Sequence, residues 1–164
     1  MYFVLKQLFS LILPFIALVV VPLAMESSSV IVADDLFVVG VLLAAAGLIV
    51  LAVTASMLFR IGRGTLAPWN PTRKLVVSGL YSYVRNPMIT GVHTALLGES
   101  LIFHSVRIFI WLIAFLIINN IYFVFSEEPG LVKRFGKEYL EYKRNVPRWI
   151  PRLKPWKQGH GDAN

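Results

Sequence analysis

The chain has 164 residues, of which 57% are hydrophobic and 15% charged. A mean hydropathy of +0.68 sets it apart from soluble domains and places it in the membrane class. Its net charge is +7 and it has no cysteine, which excludes disulfides and thiolate metal sites; no nucleic-acid-binding motif accompanies the basic residues.

The first apolar run, Leu8 to Met25, follows Lys6 and is interrupted by Pro14 and Pro22. Its length, and the poor small-x-small pattern of Pro22-Leu23-Ala24-Met25, predict a retained helix over about 3–25 rather than a cleaved signal. Leu36 to Phe59 carries no charge over 24 residues. That is about 36 Å of helix, against a hydrocarbon core of about 30 Å, and predicts a span over 36–60. Its face of Gly40, Ala44 and Gly47 suits close helix packing in lipid. Glycines and prolines punctuate 60–86 as a loop, with Trp69, Tyr81 and Tyr83 suited to headgroup depth. A third span, over 87–105, starts at Pro87 and contains His93, Glu99 and His104. A tight turn at Ser105-Val106-Arg107 leads to a fourth, over 107–126.

Beyond it the pattern becomes amphipathic over 129–146. Leu131, Phe135, Tyr139, Tyr142 and Val146 recur every three or four residues, with charges on the other faces. Pro129 suits a first helical turn, Gly136 a break between two short helices, and Pro147 and Pro151 an end. Residues 159–164 read as a flexible tail. Fifteen of the sixteen Lys and Arg lie before the first span, between the second and third, or after the fourth. The positive-inside rule puts both termini and the 60–86 loop in the cytoplasm. The expected fold is therefore an all-α integral membrane protein of four transmembrane helices with a C-terminal cytoplasmic amphipathic segment. Residues 1–158 form a single domain, its basic face turned to anionic membrane lipids.

Two polar constellations flank the last two spans. Glu127 and Glu128 follow the fourth. A helix N-terminus accounts for one carboxylate, since each is favoured there by about 0.3–1 kcal/mol; a second points to a cationic or hydroxyl-rich ligand. Asn120 precedes Glu127 by seven residues, and Asn119 precedes Ser126 by seven, so each pair shares a helix face leading inward. Arg85-Asn86-Pro87 precedes the third span. Pro87 starts a helix, which leaves Arg85 at the membrane surface beside free backbone N–H groups. Opposite charges at one membrane face suit a zwitterion, with arginine for a carboxylate and glutamate for an ammonium. His93 lies inside a span, where an ionisable group is a candidate site residue or an interhelical hydrogen-bond partner. Glu99, six residues on, does not share its face, and no helical spacing of His or acids suggests a metal site.

The run Gly79-Leu80-Tyr81-Ser82-Tyr83-Val84-Arg85-Asn86-Pro87-Met88-Ile89-Thr90-Gly91, then Glu127-Glu128-Pro129-Gly130-Leu131, Phe135-Gly136, Glu138-Tyr139, Tyr142 and Val146-Pro147-Arg148-Trp149-Ile150-Pro151, resembles the integral-membrane methyltransferases. These are the isoprenylcysteine carboxyl methyltransferases and the related phospholipid N-methyltransferases. The likeness covers roughly 60–152. The family pattern usually reads Arg-His-Pro-x-Tyr-x-Gly; here Asn86 and Ile89 replace the histidine and the tyrosine. The resemblance implies S-adenosylmethionine as cofactor and a lipophilic methyl acceptor: a prenylated-cysteine-like carboxylate, a lipid amine or a related isoprenoid. It implies cofactor contacts at Arg85, Asn86, Pro87, Glu127, Glu128, Tyr139 and Tyr142, and at Gly62 and Gly64, which resemble a glycine pair of the phospholipid enzymes. Arg85, Glu127 and His93 are the candidate catalytic residues, a glutamate or His93 acting as base if the nucleophile is an amine. Two rivals stand beside this reading: an NADPH-dependent reductase like the sterol reductases, and a non-enzymatic helical scaffold.

Overall fold

The computed structural model describes residues 12–26, 31–61 and 74–157; Gly62, Gly64 and the 159–164 tail lie outside them. Among the described residues the structure is helical, with no strand. Helix α1 (Ile12–Met25) is π-helical over Ile16–Val20, with the Val21 N–H returning to the Ile16 carbonyl. The next bond of that pattern would run from residue 22 to Ala17, but Pro22 has no N–H to give. The Ala17 carbonyl is taken instead by the indole Nε1 of Trp111, at 3.1 Å.

Helix α2 (Asp35–Arg60) opens on Asp34, whose carboxylate accepts the Phe37 N–H at 2.8 Å. A 3₁₀ turn (Gly79–Ser82) leads to α3 (Pro87–Ile102), with proline in its first turn. Helix α4 (Val106–Tyr122) starts at Ser105, whose hydroxyl accepts the Ile108 N–H.

Helices α2 and α3 touch backbone to backbone. A Cβ on Gly40 would lie 2.7 Å from the Gly98 carbonyl; one on Gly47 would lie 2.5 Å from the Gly91 carbonyl and the Ala95 nitrogen. The small-residue face of α2 thus meets a matching face on α3, Gly91, Ala95 and Gly98, with the same spacings in antiparallel order. Close approach maximises dispersion contacts where lipid supplies no hydrophobic drive between helices. The expected packing role of Gly40, Ala44 and Gly47 is what the structure shows.

The end of α4 departs from expectation. No free helix N-terminus follows it. A π-helical turn (Phe123–Glu127) carries the chain without a break into α5 (Glu128–Asn145). Neither glutamate caps anything: Glu127 has helical φ/ψ and makes no side-chain cap bond. Gly136, at φ 54°, interrupts α5 as expected, in a conformation only glycine adopts without strain.

Among the described residues two helices are long and apolar enough to cross a membrane, Asp35–Arg60 and Val106–Asn145, the latter broken at Gly136, while Ile12–Met25 is shorter. Helix α3, at 16 residues, is about 24 Å long, short of a full hydrocarbon core. The outward faces of α2 and α4 expose Leu42, Ile49, Ile110, Phe109, Ile117 and Ile121, apolar residues of the kind lipid covers. At one end of the helices Arg107 donates to the Met25 carbonyl at 2.9 Å, Ser105 bonds Glu26, and His104 lies 2.9 Å from Asp34.

At the other end the chain after α5 turns back over the 81–85 segment. Arg85 N–H donates to Pro147 O, Arg152 N–H to Tyr83 O and Trp156 N–H to Ser82 O, all within 3.0 Å. The Tyr142 hydroxyl donates to Tyr81 O at 2.7 Å. Tyr139, Tyr142 and Val146 form a small core there with Leu75, Val77, Leu131 and Trp156.

Candidate functional site

A cavity of about 660 Å³ opens where α1, α3, α4 and α5 converge on the 81–86 segment. That is ample for a small-molecule ligand. Its two ends differ in chemistry. Arg85, Asn86, Glu127, Arg134 and Tyr139 border one end; Leu13, Ile16, Ala17, Trp111 and Phe115 line the other.

The two adjacent glutamates have separate surroundings. Glu127 lines the cavity, whereas Glu128 does not. Glu128 is 5% exposed and holds three cations: Arg85 Nη1 at 2.9 Å, Arg148 Nη2 at 2.7 Å and Lys143 Nζ at 2.7 Å. Burial alone would raise its pKa, but hydrogen bonds from Lys143 and Arg148 and the charge of Arg85 outweigh that and hold the carboxyl below its ordinary value. Glu127 shifts the other way. Burial first, then the neighbouring charge of Glu128, pushes it up to about 7, against a smaller pull from Arg134. Two carboxyls one residue apart thus titrate on opposite sides of the ordinary range, a separation typical of functional sites.

The π turn explains the division. It adds one residue between α4 and α5, so side chains that coincide lie eight apart rather than seven. Asn119 and Glu127 both line the cavity. Asn120 joins the Glu128 cluster, its carbonyl accepting from Arg148 Nη1 at 3.0 Å and from Trp149 Nε1 at 3.3 Å. Sequence spacing paired Asn120 with Glu127; the structure pairs it with Glu128.

Arg85 bridges cluster and cavity. Its Nη1 serves Glu128 and, at 3.4 Å, the Tyr139 hydroxyl, while its buried Nε has no hydrogen-bond partner among the described residues. One carboxylate facing three cations leaves an excess of positive charge, and the arginine carrying that orphaned donor is a cavity wall. The arrangement suits an anionic group there. Burial, helped by Glu128, pushes the Tyr139 hydroxyl up to about 12, and burial likewise raises Tyr142. Both therefore stay protonated; both line the cavity, as do Asn86 and Ile89.

The other sequence candidates lie elsewhere. His93 is not a cavity residue. Its ring packs between Phe115 and Trp149, each 5.6 Å away centre to centre, so the structure places it beside these rings rather than in the cavity lining. Pro87 is buried at the start of α3 and is not in the lining either. Arg148, Lys143, Arg134 and Tyr81 were not singled out from sequence as site residues. The unbalanced acid pair was a signal for cations nearby, but nothing in the spacing said which ones fold back.

Helices that expose lipid-compatible faces, around a cavity polar at one end and apolar at the other, mark a membrane-associated protein. More particularly, the chain belongs to the phospholipid methyltransferase family, whose model matches residues 28–138. It is also similar to a protein-S-isoprenylcysteine O-methyltransferase of Schizosaccharomyces pombe, 32% identical over 85 residues, which is 50% of this chain and 35% of that protein. The chain thus matches about a third of that relative's length. No solved structure matches. Membership makes it a methyltransferase-family membrane protein and favours neither the reductase nor the scaffold reading.

Proposed function

We propose that this protein transfers a methyl group from S-adenosylmethionine to a lipophilic acceptor at the membrane surface. The observation that carries the proposal is the cavity: Arg85 and Glu127 at one end, apolar walls at the other. The polar end fits the cofactor's zwitterion, with Arg85 for its carboxylate and Glu127 for its ammonium or ribose. Tyr139 and Tyr142 sit where they can cover an adenine. When bound, the cofactor supplies an electrophilic methyl on a sulfonium.

The chain's own residues do the rest by positioning. Glu128 fixes the Arg85 guanidinium from behind, and the Tyr139 hydroxyl steadies it. The strap of residues 146–156 holds the 81–85 segment and screens the site from water. Alignment of the two reactants is the main demand of an in-line transfer. An amine acceptor has to lose a proton; Glu127, titrating near 7, is the group at the cavity to take it. The single domain over 1–158 is proposed to have four membrane passes, its polar end at the cytoplasmic face. In support, the contacts of Met25, Asp34, His104 and Arg107 gather the opposite ends of four helices together.

Isothermal titration of detergent-purified protein with S-adenosylmethionine tests the reading, with NADPH as the contrast. Wild type is expected to bind the former, and Arg85→Lys to weaken it about tenfold, because lysine lacks the planar fork. Heat with NADPH and none with S-adenosylmethionine refutes it.

A further inference from the structure

We propose that the Trp111 indole, pinned to the Ala17 carbonyl, is the floor of the acceptor cavity and limits the length of hydrocarbon chain the enzyme accepts. This rests on the methyl-transfer reading above. The cavity follows the π turn and α4 from Glu127 down to Trp111, 16 residues, or about 24 Å of helix. On α3 its lining goes no deeper than Val92, and on the facing side it reaches Ile16 and Ala17 of α1. Directly beneath is close-packed core: Leu18, Ala95, Leu96, Ile108 and Leu112, with Leu96 and Ile108 at 0% exposure. A chain descending along α4 from the polar end meets the Trp111 ring, with this packed core behind it.

The floor is chemically and mechanically suited to that task. The indole N–H is already given to Ala17 O at 3.1 Å, so the ring offers an aromatic face and no free donor. It suits a methyl-terminated chain and disfavours a polar one. The carbonyl that holds it is available because Pro22 cannot use it and α1 is π-helical there. A hydrogen bond in an apolar setting, with the tilted Phe115 ring 5.7 Å away centre to centre, keeps the ring from swinging aside.

The test measures methyl transfer from labelled S-adenosylmethionine to two graded series. One is S-prenylated N-acetylcysteines with geranyl, farnesyl and geranylgeranyl chains; the other is phosphatidylethanolamines of increasing acyl length. Trp111→Phe lowers the floor, and Ile16→Trp raises it from the facing, half-exposed wall. In whichever series the wild type uses, the ratio of kcat/KM for long over short chains should rise about tenfold or more in the first variant and fall as much in the second, the scale of hydrophobic pocket discrimination. If Trp111→Phe does not fold, the Ile16→Trp shift alone decides. Transfer with an unchanged length profile in the folded variants overturns the floor and leaves the methyl-transfer reading intact. No transfer by the wild type in either series overturns both.

Discussion

Replacing Glu128 by glutamine should collapse the polar end of the site rather than merely weaken a ligand. The side chain keeps its shape and loses its charge, so three cations lose their common partner. They do not count equally. Lys143 has 42% of its side chain exposed, and its release to water should cost only about 0–1 kcal/mol. Arg85 and Arg148 have 10% and 20% exposed, and breaking such a buried pair costs about 3–5 kcal/mol. Arg148 also keeps its bond to Asn120, which places the expected loss near the lower figure, about 3 kcal/mol. For a chain of this size that is a Tm lower by roughly 6–12 °C. Thermal unfolding in detergent, followed by tryptophan fluorescence, measures it, and limited proteolysis should cut the loosened 146–156 strap first. The acid limb gives a second readout. Glu128 titrates below its ordinary value, so its stabilisation is full above the unfolded pKa and is lost as pH falls through the folded one. The wild type should lose Tm below about pH 4.5 and the glutamine variant should lose less. A variant that melts with the wild type yet fails to bind S-adenosylmethionine would refute the reasoning and make Glu128 a ligand contact.

Glu127 should respond with the opposite sign. Its pKa is raised from 4.5 to about 7 on folding, so it favours the folded state least when ionised. Glu127→Gln should melt with the wild type near pH 5 and above it near pH 9, by at most roughly 3 kcal/mol; the reverse order across that range discards the assignment. Calorimetry on the same pair should show wild-type cofactor affinity rising through about pH 7 and the variant's staying flat. Gly47→Ala puts a methyl 2.5 Å from α3 backbone and should cost about 1–3 kcal/mol, whereas Gly130→Ala, with no atom within 4 Å of its Cβ, should leave Tm unchanged or slightly higher; equal effects would mean α2 and α3 do not touch as described. Ile89→Tyr should fold and shift the acceptor profile, because residue 89 lines the cavity; an unchanged profile removes that position from acceptor choice.

The sequence was most readable where one residue type does one job. Runs without charge marked the apolar helices, and Gly136 marked a break in α5 because its φ of 54° admits little else. Arg85 and the acid pair were found because charges beside apolar spans need a reason. Half of the helix zipper was seen in Gly40, Ala44 and Gly47. Its partner on α3 was less legible because Gly91, Ala95 and Gly98 are interspersed with the ionisable His93 and Glu99. For His93, its place in a span marked an ionisable group but gave no sign of its neighbours. Those neighbours are the rings of Phe115 and Trp149.

The π turn after α4 was the feature that spacing could not reveal, and it governs the site. Ideal helical periodicity puts position i+7 over position i. One inserted residue makes that i+8 and rotates everything beyond it by about a third of a turn. Pro129 is what makes the insertion tolerable in a continuous helix: it can supply no N–H, so the preceding turn is the place where the hydrogen-bond pattern can widen without leaving a donor stranded. The same pairing occurs in α1, where Ile16–Val20 widens just before Pro22. In one case the freed geometry presents a carbonyl that fixes Trp111 at the apolar end of the cavity. In the other it turns Glu127 toward the cavity and Glu128 away from it, toward the three cations that hold the polar end. Two prolines whose chain positions suggested helix starts or interruptions instead set the geometry at both ends of one cavity.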